Sequence, residues 1–145
     1  MREILYRGKR KDNDKWVYGY YCRCGWTGME KDVIIPSYAS ALYGIDVIPK
    51  TVGQYTGLTD KSGKKIFEGD ILRIVGCYFD VIYRNGGFVW RDMRLNKFVN
   101  YANSESNIEQ FSFVEVIGNI HDNPEMPKRG NDDCIYADFN KKAEV

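Results

Sequence analysis

Four cysteines and one histidine are the side chains best suited to hold a metal, and of them only Cys22 and Cys24 lie close together. A structural zinc site takes its ligands from two short knuckles. Cys77, Cys134 and His121 supply no second knuckle. The pair is read as two thiols at alternate positions of a strand end, pointing the same way, and no metal or other cofactor is expected. Asp60-Lys61-Ser62-Gly63 opens like a calcium loop but puts lysine where oxygen ligands are needed, so a β-turn accounts for it. His121 is followed by Asp122, which as its chain neighbour cannot orient the imidazole as in a triad. Glu68, Asp70 and Asp80 are the carboxylates that could converge for acid–base hydrolysis, yet nothing in their spacing selects them. No glycine-rich phosphate loop precedes a helix. The chain carries no catalytic set, and it reads as a non-enzyme.

What remains is contact chemistry. Aromatic residues make up 14% of the chain, with eleven tyrosines, and exceed what one small core needs. Large rings left at a surface mark interfaces. Trp16, Tyr18 and Tyr20 share one face of a strand by period two, as a core wall or a contact surface. Tyr83, Phe88 and Trp90 form a second group around a hairpin. These six are the candidate interface residues, and the partner expected first is another copy of the chain. Nucleic acid is the alternative, on Tyr83, Trp90 and the lysines Lys61, Lys64 and Lys65. The formal charge of +1 argues against it, because neutralising phosphates needs a basic surplus.

These rings must be positioned by strands. Ile4–Arg7 and Trp16–Tyr21 form a hairpin around the charged loop 8–15, and Val33–Ile35 adds a third strand. Ser37–Leu42 reads as a helical turn capped by Ser37. Tyr78–Arg84 and Phe88–Arg91 flank Asn85-Gly86-Gly87, the residues a tight hairpin turn demands. Residues 95–101 and Phe111–Ile120 supply further strands, with a polar loop at 103–107 between them.

The most informative stretch runs from Pro49 to Val75. Asp60–Gly63 makes a turn, Gly69-Asp70 a sharp bend, and Ile71, Leu72, Ile74 and Val75 a buried strand. The runs Thr51-Val52-Gly53-Gln54-Tyr55-Thr56-Gly57-Leu58 and Ile66-Phe67-Glu68-Gly69-Asp70-Ile71 resemble the YopX family of bacteriophage and prophage proteins. So do Trp16 with Tyr18-Gly19, and the closing segment Val116-Ile117-Gly118-Asn119-Ile120-His121-Asp122-Asn123-Pro124-Glu125. The resemblance covers roughly residues 1–126. It implies a small, mostly β phage protein of unknown activity, with a host or phage protein as a further possible partner and no catalytic residue to carry over.

The fold class expected is mainly β with little helix: a small SH3-like or related barrel over residues 56–126, an N-terminal hairpin subdomain over 1–55, and a tail over 127–145. No apolar run is long enough to span a bilayer, and the first residues lack a signal-peptide core. A cytoplasmic location in the bacterial host follows, with the four cysteines expected as free thiols.

Overall fold

The computed structural model describes residues 1–40, 43–74, 76–94, 96–99 and 113–126. The polar loop expected at 103–107 and the tail at 127–145 lie outside the described residues, as do the ends of the helical turn at 37–42 and of the strands at 95–101 and 111–120. The chain divides into two compact units, Met1–Gly57 and Leu58–Val145.

The first unit is built on β1 (Tyr6–Lys9), β2 (Trp16–Cys24), β3 (Lys31–Pro36), β4 (Ile45–Asp46) and β5 (Gly53–Thr59), whose last two residues pass into the second unit. The sheet order is β4-β3-β2-β1-β5, continued by β6 (Lys65–Phe67). All the pairings of β1, β2, β3 and β4 are antiparallel. β2 alternates as expected for a strand with one covered face: Val17 and Gly19 are buried, whereas Tyr18 and Tyr20 are exposed. Val17 joins Ile34 and Val47 in a small core, with Tyr6, Ile45 and Val52 packed against it. Tyr21 lies on that same face, where its ring meets Tyr6 at 5.5 Å and its hydroxyl donates to the Asp32 carboxylate.

The second unit holds the larger core. β7 (Asp70–Ile74), β8 (Cys77–Arg84), β9 (Gly87–Asp92), β10 (Phe98–Val99) and β11 (Val114–Asn119) form a sheet in the order β10-β9-β8-β7-β11. Leu72 stands opposite Phe79 and Val116, Ile74 opposite Cys77 and Val114, and Val81 opposite Trp90. These residues therefore share one face and, with Ile66, make a single buried cluster. The hairpin between β8 and β9 turns on Asn85 and Gly86, with φ of 52° and 82°, the left-handed pair such a turn requires.

A mainly β chain is what the structure contains, but the described strands do not close a barrel. They form two antiparallel sheets, and β10 and β11 are edges with one strand partner each. Closure needs every strand paired on both sides in a continuous stagger, which the two-residue β10 does not supply. The expectation of four free thiols also fails in part. Cys22 and Cys24 are free and exposed, but Cys77, buried in the core, is disulfide-bonded.

The two family-like segments meet in the second unit. Gly69 takes φ 88° at the bend and donates its N–H to the Val81 carbonyl, while its own carbonyl accepts from Ile120. Asp70 is buried and accepts the Phe67 N–H at 2.8 Å, closing the bend. Opposite Asp70 in register stands Asn119, whose side-chain oxygen accepts from the backbone of His121 and Asp122. The Gly118–Asn123 stretch is thus a side-chain-braced turn seated on the Gly-Asp bend.

Asp60 ties the other end of that sheet to the turn between β5 and β6. One carboxylate oxygen accepts from the Ser62 N–H and hydroxyl and the Lys64 N–H; the other accepts the Val116 N–H of β11 at 3.1 Å. Burial by itself raises the pKa of this carboxyl, but the bonds from Val116, Ser62 and Lys64 outweigh it and hold the value below normal. A depressed folded-state pKa means the unfolded chain takes up the proton first. This contribution is therefore full above the unfolded value of about 3.9 and is lost as pH falls through the lower folded value. Asp60→Asn is expected to cost about 2 kcal/mol at neutral pH, since an amide nitrogen cannot accept. The loss should shrink below about pH 4 in urea titrations followed by circular dichroism. A penalty of the same size at acidic and neutral pH would remove the ionised carboxylate from this role.

Candidate contact surfaces

The six candidate interface residues separate into three environments. Tyr18 and Tyr20 are 45% and 57% exposed on the outer face of β2, and Trp16 on the same face is half-buried. Tyr83 is 55% exposed at the end of β8, with Phe88 edge-on to it at 5.2 Å between centroids. Phe88 is half-buried and packs against the core beneath. Trp90 is the exception and a correction: it is 5% exposed, inside the core cluster. Tyr83, Val81 and Phe79 occupy one face of β8, and Trp90 stands opposite Val81 on that face. Its ring is thus covered, whereas Tyr83 and Phe88, at the hairpin end, emerge from the same face.

On the first sheet the register sets cations beside the rings. Arg7 pairs with Tyr18 and Lys9 with Trp16. The Arg7 guanidinium lies 4.6 Å from the Trp16 ring centroid and the Lys9 ammonium 5.5 Å, both within cation–π range. Arg7 and Lys9 were expected at the end of a strand and in the solvated loop beyond it. They are instead inner and terminal residues of β1, and the i, i+2 alternation of the two cations was the signal that could have found them.

Other apolar side chains outside these six are exposed as well. Trp26 is 81% exposed, and Met29 donates its N–H to the Trp26 carbonyl across the turn that joins β2 to β3. Phe98 is exposed on β10 with the Arg84 guanidinium 4.0 Å above its ring.

The residues considered for chemistry are engaged structurally. Asp80 is fully buried and receives two bonds from Arg91, at 2.9 and 2.5 Å; the interaction raises the guanidinium pKa further. Asp70 closes its bend. His121 lies near Gly69: a methyl built there would come within 3.5 Å of its Nε2. Among the described residues no cluster of three metal-capable side chains occurs. Lys61, one of the lysines considered for nucleic acid, is 3.3 Å from Glu115, which also binds Arg73; both bonds hold the Glu115 carboxyl below its normal pKa. An open cleft of about 420 Å³ lies in the first unit between Arg10, Lys11, Asp12, Gly44, Ile45 and Asp46. Its charges largely cancel, and Arg10 is locked to Asp12 at 2.6 Å. No helix among the described residues is long and apolar enough to cross a membrane.

Two antiparallel sheets joined in sequence by a Gly-Asp bend, with aromatic rings exposed on both, make a mainly β protein. The family described as YopX protein matches residues 5–127, and the chain belongs to that family. The crystal structure of protein EF1440 from Enterococcus faecalis is similar, with a TM-score of 0.56 and 22% identity over 88% of this chain and 99% of that one. At that identity the likeness shows the fold alone. No curated protein sequence matches the chain.

Proposed function

We propose that this YopX-family chain is a non-enzymatic contact module, phage-encoded and acting in the host cytoplasm, that self-associates or binds a protein partner through exposed aromatic rings. The observation that carries the reading is the Tyr83–Phe88 pair. A two-residue turn of fixed geometry holds it at the end of a hairpin, and Phe88 is anchored on the core. Rings already ordered in the free protein lose little entropy on binding, which is what makes Tyr effective at the centre of an interface. That Asp70 and Asp80 are each committed to a structural bond supports a role without turnover.

Sedimentation velocity across a range of concentrations tests it. Wild-type protein is expected to associate, and Tyr83→Ala/Phe88→Ala to weaken the association tenfold or more, in line with the loss of two interface aromatics. A strict monomer at every concentration, together with no protein retained from cells carrying the prophage, would discard the reading.

A further inference from the structure

We propose that the end of the β2–β3 hairpin in the first unit binds copper(I) between the thiolates of Cys22 and Cys24, a site that does not involve the Tyr83–Phe88 pair. β2 continues as regular strand through Cys24, with Cys22 opposite Val33 and Cys24 opposite Lys31. Alternate residues of a strand project from the same face, so the two thiols stand side by side, and both are free and exposed. Their Cα atoms are two strand steps apart, about 6.7 Å. That spacing decides what the pair can do. A disulfide needs Cβ atoms about 3.5–4.5 Å apart, which two parallel Cα–Cβ bonds on one strand face do not provide. A linear ion spaces its two sulfurs by two metal–thiolate bonds, about 4.6 Å in all at about 2.3 Å each. Turning the two side chains toward each other about χ1 brings the sulfurs to that separation with the strand intact.

The other groups of the hairpin favour a soft monovalent ion over zinc. A structural zinc site takes four ligands from two knuckles, and Cys22 and Cys24 are one knuckle only. A two-coordinate ion needs no third cysteine, histidine or carboxylate. Of the two carboxylates within residues 22–32, Glu30 accepts the Gly28 N–H at 3.1 Å and Asp32 accepts the Tyr21 hydroxyl, so each has a partner in the hairpin. The third donor is a sulfur, that of Met29. Its backbone returns against the residue that follows Cys24: a methyl built on Gly25 would lie 2.4 Å from the Met29 carbonyl oxygen, and the Met29 N–H donates to the Trp26 carbonyl at 2.7 Å. The Met29 side chain is 68% exposed, and its flexible, unbranched stem lets the thioether swing toward the thiolates. Thiolate and thioether donors together select copper(I). Three sulfurs within eight consecutive residues thus make one soft donor set.

The test is an anaerobic titration of the full chain with copper(I), kept reduced by ascorbate, in competition with the coloured chelator bicinchoninate. One ion per chain is expected, with the near-ultraviolet absorption of a copper–thiolate bond. Trp26, 81% exposed in the same turn, should be quenched as the site fills, read as the difference between wild type and Trp26→Phe. Cys22→Ser and Cys24→Ser should each weaken binding by about a hundredfold or more, because one thiolate cannot hold a linear ion alone. Met29→Leu, which keeps the bulk and removes the sulfur, should weaken it about tenfold. Circular dichroism confirms that each variant is folded. Failure of the chain to draw any copper(I) from the chelator would overturn the proposal, as would full binding by Cys22→Ser/Cys24→Ser. So would one ion per two chains with copper-dependent dimerisation in sedimentation, since the two thiolates would then come from different copies.

Discussion

Gly19→Ala is expected to destabilise the first unit by about 3 kcal/mol or more, one of the two largest effects of a single substitution anticipated in this protein. A methyl carbon at this position would lie 2.0 Å from the Ile35 carbonyl oxygen, 2.7 Å from its carbon and 2.9 Å from the Pro36 Cα. All three are backbone atoms, so no rotamer change relieves the overlap; β2 and β3 must move apart where Gly19 pairs with Pro36. Among the described residues the core cluster beneath them has three buried members, Val17, Ile34 and Val47, and separating the strands exposes it. Gly87→Ala is the control, because nothing lies within 4 Å of its added methyl and its φ is not in the left-handed range. Urea midpoints should fall sharply for Gly19→Ala and remain within about 0.5 kcal/mol of wild type for Gly87→Ala. Equal behaviour of the two variants would show that the close approach at Gly19 has no energetic weight.

The second large effect concerns Asp80 and Arg91, and its size depends on which partner is removed. The Asp80 side chain is fully buried, whereas that of Arg91 is 38% exposed. Arg91→Met leaves a carboxylate with no counter-charge inside the sheet and should cost about 3 kcal/mol. That is the low end for a broken buried pair, because water can enter where the guanidinium was. Asp80→Asn leaves an arginine that can turn to solvent, and should cost about half as much. Replacing both, as Asp80→Leu/Arg91→Met, removes the buried charge and its partner together and should return stability to within about 1 kcal/mol of wild type. A full double-mutant cycle by denaturant titration reads all three values. If the single changes each cost less than about 0.5 kcal/mol, the pair behaves as an exposed salt bridge despite its geometry.

Asp80 also illustrates how differently elements and environments are encoded. As a charged residue inside Tyr78–Arg84 it reads as an outward position, and the alternation does place it opposite Phe79 and Val81. The outward face of this sheet is nevertheless covered there, since Ile71, its partner on β7, is fully buried as well. Trp90 shows the same problem in the other direction. Period two groups it with Phe88 on β9, and the hairpin with Tyr83, but that face crosses from core to solvent along its length.

Local chemistry by itself determined the turns at Asp60–Gly63, Gly69-Asp70 and Asn85-Gly86 and the strands they join, because positive φ and period-two alternation are written in adjacent residues; the YopX family was legible separately, in the resemblance of the motifs around Thr51–Leu58, Ile66–Ile71 and Val116–Glu125. Only the tertiary structure decided that the strands make two open sheets, that Trp90 is inside and Tyr83 outside, and that Arg7 and Lys9 flank the Trp16–Tyr20 ladder. Alternation states which residues share a face. Which face is covered, and which cation meets which ring, depends on the register of strands distant in the chain, and no single strand carries that information.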